Sequence, residues 1–433
     1  MLRHGLGRAV LFLRNEPDLA RFHDIIREAC LKDWRYDSQV EADRAPYLFD
    51  VIEASGEPEY YAAFVHDELE TIATPQEAEG ACRPQLLALA ALLTKSGHGD
   101  LKAALYQTIG RTAGETDGIT GHGHILIGLD GITGYRFLVE QLIRFPQTDE
   151  DRWSEIRLLN SLNELLGETA AAEALDRLAL DAQHLAPYLM VIRQACADDK
   201  VPVISASEPL TSARAPITAS RTAVPIQQKI HAYISGEHRA KPRMRLVNRA
   251  VWEQLAAELG RETDRERRTR YLYLFRSAGC VPFPGDPEVL LRLIRQTEDE
   301  RLTWGALAAL EYTTHPTIRA TALELLRTDH RVVHGMRLLP YNPGVGDADL
   351  MAEHVSRDQD PDTFHFISLG ILNYVKRHAD PGLIPVMLTC YEKMRCALCR
   401  RQIVHELLKR DALPPELRAE CRYDADPETR TYV

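Results

Sequence analysis

The sequence predicts an all-α fold, an irregular α-solenoid of helical hairpins with an extended Pro/Ser-rich crossing segment. Apolar residues recur at spacings of three and four along most of the chain, as at Ile156, Leu159, Leu162 and Leu166. Turns that contain proline after a capping residue, such as residues 285–287, separate these short apolar segments. Because each segment buries only a stripe, neighbouring helices must stack to complete a core.

The composition is that of a folded protein and sets limits on its class. Of the 433 residues, 45% are hydrophobic and 27% are charged, which excludes disorder along the whole chain. The formal net charge of −11 argues against a chain that binds nucleic acid over its whole surface. No apolar run has the length of a membrane helix, so we expect no membrane association. Eight cysteines are too few for a disulfide scaffold, and we expect a cytoplasmic protein.

One stretch, residues 201–225, interrupts the helical pattern. It contains four prolines among many Ser, Thr and Ala residues and cannot form one helix. We therefore divide the chain into an N-terminal helical half, residues 1–199, an extended linker or strap, residues 200–225, and a C-terminal helical half, residues 226–433. An ordered strap and a protease-sensitive linker are both compatible with this composition.

The segment from His315 resembles the second helix of a HEAT repeat. The resemblance rests on a proline at the turn, an aliphatic residue, an arginine and an Ala/Leu stripe, at Pro316, Ile318, Arg319, Ala322, Leu325 and Leu326. Residues 303–310 are similar to the first helix of such a repeat, and residues 426–430 and 380–385 are weaker echoes. The resemblance implies a C-terminal half of HEAT-like hairpins and an extended surface that is presented to proteins or nucleic acids.

The charge is concentrated in one N-terminal region. Twelve acidic residues and a single base, Arg44, lie between positions 37 and 79. Such asymmetry affects the choice of partner more than the fold. We predict that these acids, together with a basic cluster in the other half, contact a protein partner, with a basic segment of that partner facing the acids; solvated helix faces are the alternative. The predicted contact residues are Asp37, Glu41, Asp43, Asp50, Glu53, Arg243, Arg245 and Arg249.

Two groups of residues have the composition of metal ligands. Cys390, Cys396, Cys399 and Cys421 include a CxxC pair and could supply four thiolates to zinc, although buried core thiols at helical spacing explain the same pattern. A redox pair is the third interpretation. His122 and His124 lie in a Gly-rich segment that suggests tight turns around a short buried helix, with a ligand or metal site as the alternative. No cofactor is required by either pattern.

Four arginines and three aromatic residues lie between positions 267 and 276, a composition that suits phosphate and base contacts, although a core helix with an Arg-lined outer face explains it as well. No catalytic motif is recognised, and no catalytic residue is predicted. We expect a non-enzymatic helical-repeat scaffold that binds a protein partner on an extended surface. The alternatives are a HEAT-like nucleic-acid-binding protein of the DNA glycosylase kind, and an enzyme or regulatory subunit of an unrecognised type.

Overall fold

In the computed structural model, the described residues are 1–72, 83–111, 118–144, 149–198, 225–242, 244, 247–277, 281–296, 299–328 and 331–433. Over these residues the chain forms α-helices and short 3-10 helices, without a β-strand. The predicted all-α class is therefore confirmed at this level. The residues group into two compact units, one of residues 1–210 with 414–433 and one of residues 211–413.

The first unit contains the N-terminal helices and the two last helices of the chain. Three short 3-10 helices, Leu2–His4, Ala20–Phe22 and Gln183–Leu185, accompany them. The α-helices are α1 (Arg8–Leu13), α2 (His23–Leu31), α3 (Ala45–Ser55), α4 (Pro58–Thr71), α5 (Arg83–Lys95), α6 (Asp100–Arg111), α7 (Gly118–Asp130), α8 (Ile132–Leu142), α9 (Asp149–Leu166), α10 (Glu168–Asp181), α11 (Ala186–Asp198), α23 (Pro415–Cys421) and α24 (Pro427–Thr431).

The second unit contains eleven α-helices among its described residues and the 3-10 helix Leu339–Tyr341. They are α12 (Ile226–Ser235), α13 (Arg249–Arg261), α14 (Arg265–Arg276), α15 (Pro287–Gln296), α16 (Glu300–Leu310), α17 (Pro316–Leu325), α18 (Val332–Leu338), α19 (Asp347–Ser356), α20 (Pro361–Val375), α21 (Leu383–Lys393) and α22 (Ala397–Lys409).

Side-chain caps fix where several helices of the second unit begin. Asn248 accepts a hydrogen bond from the Val251 amide, and Asp264 accepts one from the Arg267 amide. Asp299 and Asp360 do the same at the starts of α16 and α20. These short polar side chains satisfy amides that have no partner within the helix, which is why the turn chemistry of the sequence marks the helix starts well.

Within each unit, helices pack closely on the next helix and on the next but one. In the second unit such pairs include α14–α16, α15–α16, α16–α18, α17–α18, α18–α20, α19–α21 and α21–α22. In the first unit they include α3–α5, α5–α6, α4–α6, α7–α8 and α7–α9. Of the stripes predicted from the sequence, Ile156, Leu159 and Leu162 are buried in α9 whereas Leu166 is 39% exposed, and Ile318, Ala322 and Leu325 are buried in α17.

The C-terminal residues close the first unit at its N-terminal end. The Ala425 amide donates to the Gly5 carbonyl at 2.9 Å, and Arg8 forms an ion pair with Glu420 at 2.8 Å. Arg430 forms another ion pair, with Asp50, at 2.7 Å. Residues 414–433, which the sequence analysis placed with the C-terminal half, thus belong to the first unit. The proposed linker, residues 200–225, lies outside the described residues apart from Pro225, and its boundaries stay a prediction.

Candidate functional site

Three neighbouring helices of the second unit, α14, α16 and α18, present aromatic and basic side chains on one surface. Their inner faces are apolar, with Leu272, Leu307 and Met336 buried. On the outside, Tyr273 is 45% exposed and Trp304 is 37% exposed. Since packing of the inner faces fixes the helices, these large exposed side chains are held at defined positions.

A glycine allows α16 to approach α14 closely. A Cβ atom at Gly305 would lie 2.9 Å from the Cβ of Leu272, a separation that requires the helices to move apart. Beside this contact lies a groove of about 460 Å³. Its lining residues are Thr269, Tyr273, Arg276, Glu300, Arg301, Trp304 and Gly305.

Two guanidinium groups lie over the indole ring of Trp304. The distances from the ring centroid are 4.9 Å for Arg276 and 5.2 Å for Arg337. His334 contacts the same ring edge-to-face, with 5.8 Å between the centroids. Arg337 also forms an ion pair with Glu311 at 2.5 Å, which fixes its position. Cation–π contacts of this kind hold an exposed aromatic ring in place without burying it.

A second depression adjoins the first and shares Thr269, Tyr273 and Arg301 with it. We call the two together the Trp304 groove. The residues that the second depression adds are Tyr233, His238, Arg239, Glu266 and Arg270. At its edge the ammonium group of Lys241 lies 5.2 Å from the centre of the Tyr273 ring.

Most of the cations of the Trp304 groove have no acidic partner. Among the described residues, Arg239, Lys241, Arg276 and Arg301 form no ion pair. Arg270 donates to the main-chain carbonyls of Tyr233 and Ile234, which orients the guanidinium without neutralising its charge. Two carboxylates, Glu266 and Glu300, also line the groove, so its net charge is positive.

The charge of the whole second unit agrees with that of the groove. Residues 211–413 contain 30 Lys and Arg against 24 Asp and Glu, a net charge of +6. The first unit contains 22 Lys and Arg against 39 Asp and Glu, a net charge of −17. The two units of this acidic chain therefore carry net charges of opposite sign.

His334 is neutral at physiological pH because of its surroundings. Burial, and to a lesser degree the charges of Arg337 and Arg331, lower the pKa of its imidazole to about 4. The ring therefore adds no charge of its own to the groove and acts as an uncharged contact for Trp304.

Sequence analysis identified part of this surface. Of the segment 267–276, Arg270, Tyr273 and Arg276 reach the groove, whereas Tyr271 is buried and bonds Glu258. The contribution of α16 and α18 was missed. A signal for it exists, because Tyr273–Arg276, Arg301–Trp304 and His334–Arg337 each combine an aromatic ring with a basic group three residues apart, on one helix face.

The acidic residues predicted to contact a partner have different environments. Asp37, Asp43 and Glu53 are exposed, and Asp37 and Asp43 accept hydrogen bonds from the amides of Gln39 and Ala45. Glu41 is buried and forms an ion pair with the buried Arg44, at 3.3 Å. Asp50 is the partner of Arg430. The structure therefore leaves three of these five carboxylates at the surface, and a partner for them stays a prediction.

The predicted basic cluster is only partly described. Arg243 and Arg245 lie outside the described residues. Arg249 is exposed at the start of α13 and forms an ion pair with Glu253 one turn later, at 2.8 Å. Nothing in the described structure joins Arg249 to the Trp304 groove.

The four cysteines predicted as zinc ligands are not brought together as a set. Cys396 and Cys399 lie close together, and the third nearby ligand group is His365 rather than Cys390 or Cys421. Burial raises the pKa of the Cys390 thiol to about 12. Cys421 is buried in α23 of the first unit, whereas the other three belong to the second.

The environment of Cys396 differs from that of the other cysteines. A hydrogen bond from the Cys399 side chain, with further contributions from His365 and the Cys399 amide, lowers the pKa of the Cys396 thiol to about 4 against the opposing effect of burial. Burial alone raises the pKa of Cys30 to about 12. Sequence reasoning missed His365 because it lies 34 residues before Cys399, on another helix.

The Gly/His segment forms most of α7, followed by a turn at Gly131 and by α8. The predicted close backbone approach occurs at Gly134, where a Cβ atom would lie 2.2 Å from the Leu126 carbonyl oxygen. Asp130 accepts hydrogen bonds from Lys102 at 2.8 Å and from Tyr106 at 2.6 Å. Among the described residues, His122 and His124 belong to no group of metal-ligand side chains.

Comparison with known proteins gives no relative: no family model, no curated protein and no solved structure matches the chain. In the part of the chain that the structure describes, no helix combines the length and the apolar character that crossing a bilayer requires.

Proposed function

We propose that the chain is a non-enzymatic helical-repeat protein that binds a partner protein, and that the Trp304 groove receives an acidic segment of that partner. The observation that carries the proposal is the arrangement of exposed Trp304 and Tyr273 among arginines without acidic partners. Arg, Trp and Tyr are the side chains that contribute most often to the binding free energy of protein interfaces.

The order of helix contacts supports a repeat array. Close pairs of consecutive helices, such as α15–α16 and α17–α18, together with contacts from one pair to the next, such as α14–α16 and α16–α18, are what stacked hairpins produce, because each hairpin contacts its two neighbours. The two helices that resemble a HEAT repeat in sequence, α16 and α17, belong to two adjacent helix pairs of this series, α15–α16 and α17–α18. In such an array α14, α16 and α18 are the equivalent helices of successive hairpins, and equivalent faces form one continuous surface.

The charges of the groove favour an acidic partner. Arg239, Lys241, Arg270, Arg276 and Arg301 surround the groove, and desolvation of a guanidinium is offset when a carboxylate replaces the lost water. A cationic occupant would face five positive charges against the two carboxylates of Glu266 and Glu300. The acidic surface of the first unit, Asp37, Asp43 and Glu53, then serves a separate contact with a basic segment, as the sequence predicts.

The same aromatic and basic groups could stack with bases and bind phosphates, which makes single-stranded nucleic acid the second candidate. The carboxylates of Glu266 and Glu300 favour an acidic peptide over single-stranded nucleic acid. A phosphate backbone carries a charge at every nucleotide and would place phosphates against these carboxylates, whereas an acidic peptide can place uncharged side chains there.

The test compares ligands of opposite charge on the full chain by fluorescence anisotropy. The probes are a short Glu-rich peptide with interspersed aromatic residues, its Lys counterpart and a single-stranded oligonucleotide of equal length. We expect the acidic peptide to bind most tightly, with an affinity that falls as salt is added. If the oligonucleotide binds more tightly than the acidic peptide, the groove is a nucleic-acid site. If the Lys peptide binds more tightly than the acidic peptide, the proposal is contradicted.

Matched variants locate the binding site. Trp304→Ala and Arg276→Gln should each weaken binding of the acidic peptide about tenfold, which corresponds to about 1.4 kcal/mol. Arg249→Gln removes an exposed arginine of the same unit that does not line the groove and should leave the affinity unchanged. Equal effects of Arg276→Gln and Arg249→Gln would show that only net charge matters.

A further inference from the structure

Three potential metal ligands from two helices converge in the second unit. His365 lies in the first turns of α20, Cys396 immediately precedes α22, and Cys399 lies in the first turn of α22. One ligand atom from each of the three lies within 4.8 Å of the other two. The Nε2 atom of His365 is 3.1 Å from the Sγ atom of Cys399. The cluster lies on helices other than those of the Trp304 groove.

A buried arginine, Arg400, fixes the position of the Cys396 thiol. Arg400 is completely buried, and its Nη1 atom donates to the main-chain carbonyls of Met394 at 3.2 Å and of Arg395 at 3.1 Å. These bonds hold the connection between α21 and α22, which ends at Cys396. A residue directly before the helix directs its side chain back over the first turn, where Cys399 lies. The thiols of Cys396 and Cys399 therefore lie on the same side of α22 at its N-terminus.

Buried residues of α20 hold that helix against α22. Phe364 and Ile367, on either side of His365 in α20, are buried, whereas Phe366 is exposed, and α20 packs against α22. His365 itself is half-buried, whereas both thiols are buried. A ligand bound here thus has thiolates on its protein side and access from solvent past the imidazole.

The distances suit a tetrahedral zinc ion after a small adjustment. Zinc bonds of about 2.3 Å to sulfur and about 2.0 Å to nitrogen place neighbouring tetrahedral ligands about 3.5–3.8 Å apart. All ligand separations here are at most 4.8 Å, and the nitrogen–sulfur distance of 3.1 Å would open by about half an ångström. Rotation of the His365 and cysteine side chains suffices for that change.

Thiolate and imidazole ligands select the metal. Soft sulfur and borderline nitrogen donors favour zinc over magnesium and calcium, which take oxygen ligands. Two cysteines and one histidine leave the fourth tetrahedral position to water. Cys390, the other buried cysteine described in the second unit, belongs to no comparable set among the described residues.

We propose that His365, Cys396 and Cys399 form a zinc site that joins α20 to the start of α22, with water as the fourth ligand. Zinc binds the thiolate forms of both cysteines. The site differs from the four-cysteine arrangement that the sequence suggested, because the imidazole takes the place of Cys390 and Cys421.

The first test is metal analysis of the full chain, purified without a histidine tag in a phosphine reductant. We expect about one zinc per chain, and Cys396→Ser, Cys399→Ser and His365→Gln should each lose it. Cys390→Ser is the matched control, since Cys390 is a buried thiol of the neighbouring helix that lies outside the cluster. Metal absent from the wild type after incubation with zinc, or retained equally by Cys396→Ser, would overturn the proposal.

A second measurement needs no variant and covers the case in which the substitutions unfold the protein. The wild-type chain is alkylated with and without a zinc chelator, and mass spectrometry identifies the modified cysteines. Zinc should protect Cys396 and Cys399 and leave the reactivity of Cys196, a partly exposed thiol of the first unit, unchanged. Equal alkylation in both conditions, or a Cys396–Cys399 disulfide that persists in reductant, would refute a zinc site.

Discussion

Trp304 is held at the surface by charged groups and not by a surrounding core. Arg276 and Arg337 lie over its ring, and His334 contacts its edge. The pattern of aromatic and basic residues three apart on α14, α16 and α18 could be read from the sequence, but their convergence could not, because it depends on which helices are neighbours. The CxxC pair of Cys396 and Cys399 could likewise be read from the sequence. The third residue of that cluster, His365, could not, because it lies on a different helix.

The pH dependence of stability should reveal the burial of His334. Its pKa is about 4 in the folded state and about 6.5 when unfolded, so the unfolded state binds the extra proton between these values. This contribution to stability is complete above pH 6.5 and is lost as the pH falls towards 4. Between pH 7.5 and pH 5 the free energy of unfolding should therefore fall by on the order of 1–2 kcal/mol through this group, allowing for its partial exposure.

Urea unfolding at the two pH values, for the wild type and for His334→Gln, measures this contribution. The variant should show the smaller loss of stability on acidification. His405→Gln, which replaces an exposed histidine of α22, should behave as the wild type. An identical pH dependence of His334→Gln and the wild type would show that the imidazole is not neutral in the folded protein.

Among the elements, α17, α19 and α20 are joined by one buried carboxylate. Asp347 is 2% exposed and accepts hydrogen bonds from Arg319 at 2.7 Å, from the Tyr374 hydroxyl at 2.9 Å and from the Gly344 amide at 2.8 Å. The HEAT-like pattern in the sequence includes Arg319, and its aliphatic stripe is buried as expected. The partner Asp347 could not be predicted, since it lies 28 residues further on, in the next helical pair.

Loss of this carboxylate should be costly. Asp347→Ala removes the carboxylate that accepts hydrogen bonds from Arg319, the Tyr374 hydroxyl and the Gly344 amide. We expect the free energy of unfolding to fall by about 2–4 kcal/mol. Glu353→Ala is the matched control, because it removes an exposed carboxylate of the same helix that pairs with Arg357, and its effect should be below about 1 kcal/mol. Chemical denaturation of both variants tests the difference, and equal effects would contradict the role given to Asp347.

For the molecule as a whole, the return of the C-terminal residues to the N-terminal end is the main feature that local patterns did not predict. Helical periodicity contains no information on contacts between residues such as Arg8 and Glu420, which are 412 positions apart. The class of fold was predictable because it follows from the repeat of apolar residues. The membership of residues 414–433 was not, because it follows from long-range packing.

Gly7 should be essential to this closure. A Cβ atom there would lie 2.0 Å from the Glu420 carbonyl oxygen, so Gly7→Ala must displace the backbone of the C-terminal segment. We expect a loss of about 1–3 kcal/mol in stability and faster hydrogen exchange in residues 414–433. Gly99→Ala, at a position with no atom within 4 Å of the added Cβ, is the control and should change neither quantity. Unchanged exchange in Gly7→Ala would show that the termini are not packed as described.

The central claim, that the Trp304 groove receives an acidic protein segment, is tested most directly by photocrosslinking in the source cell. A benzoylphenylalanine crosslinker replaces Tyr273 in the groove or, as a control, Tyr60, an exposed tyrosine of the first unit. Mass spectrometry then identifies the crosslinked peptides. We predict that the crosslinker at position 273 captures segments rich in Asp and Glu, and that Arg276→Gln and Arg301→Gln abolish the capture. Crosslinks to nucleic acid, or the same peptides at both positions, would contradict the account.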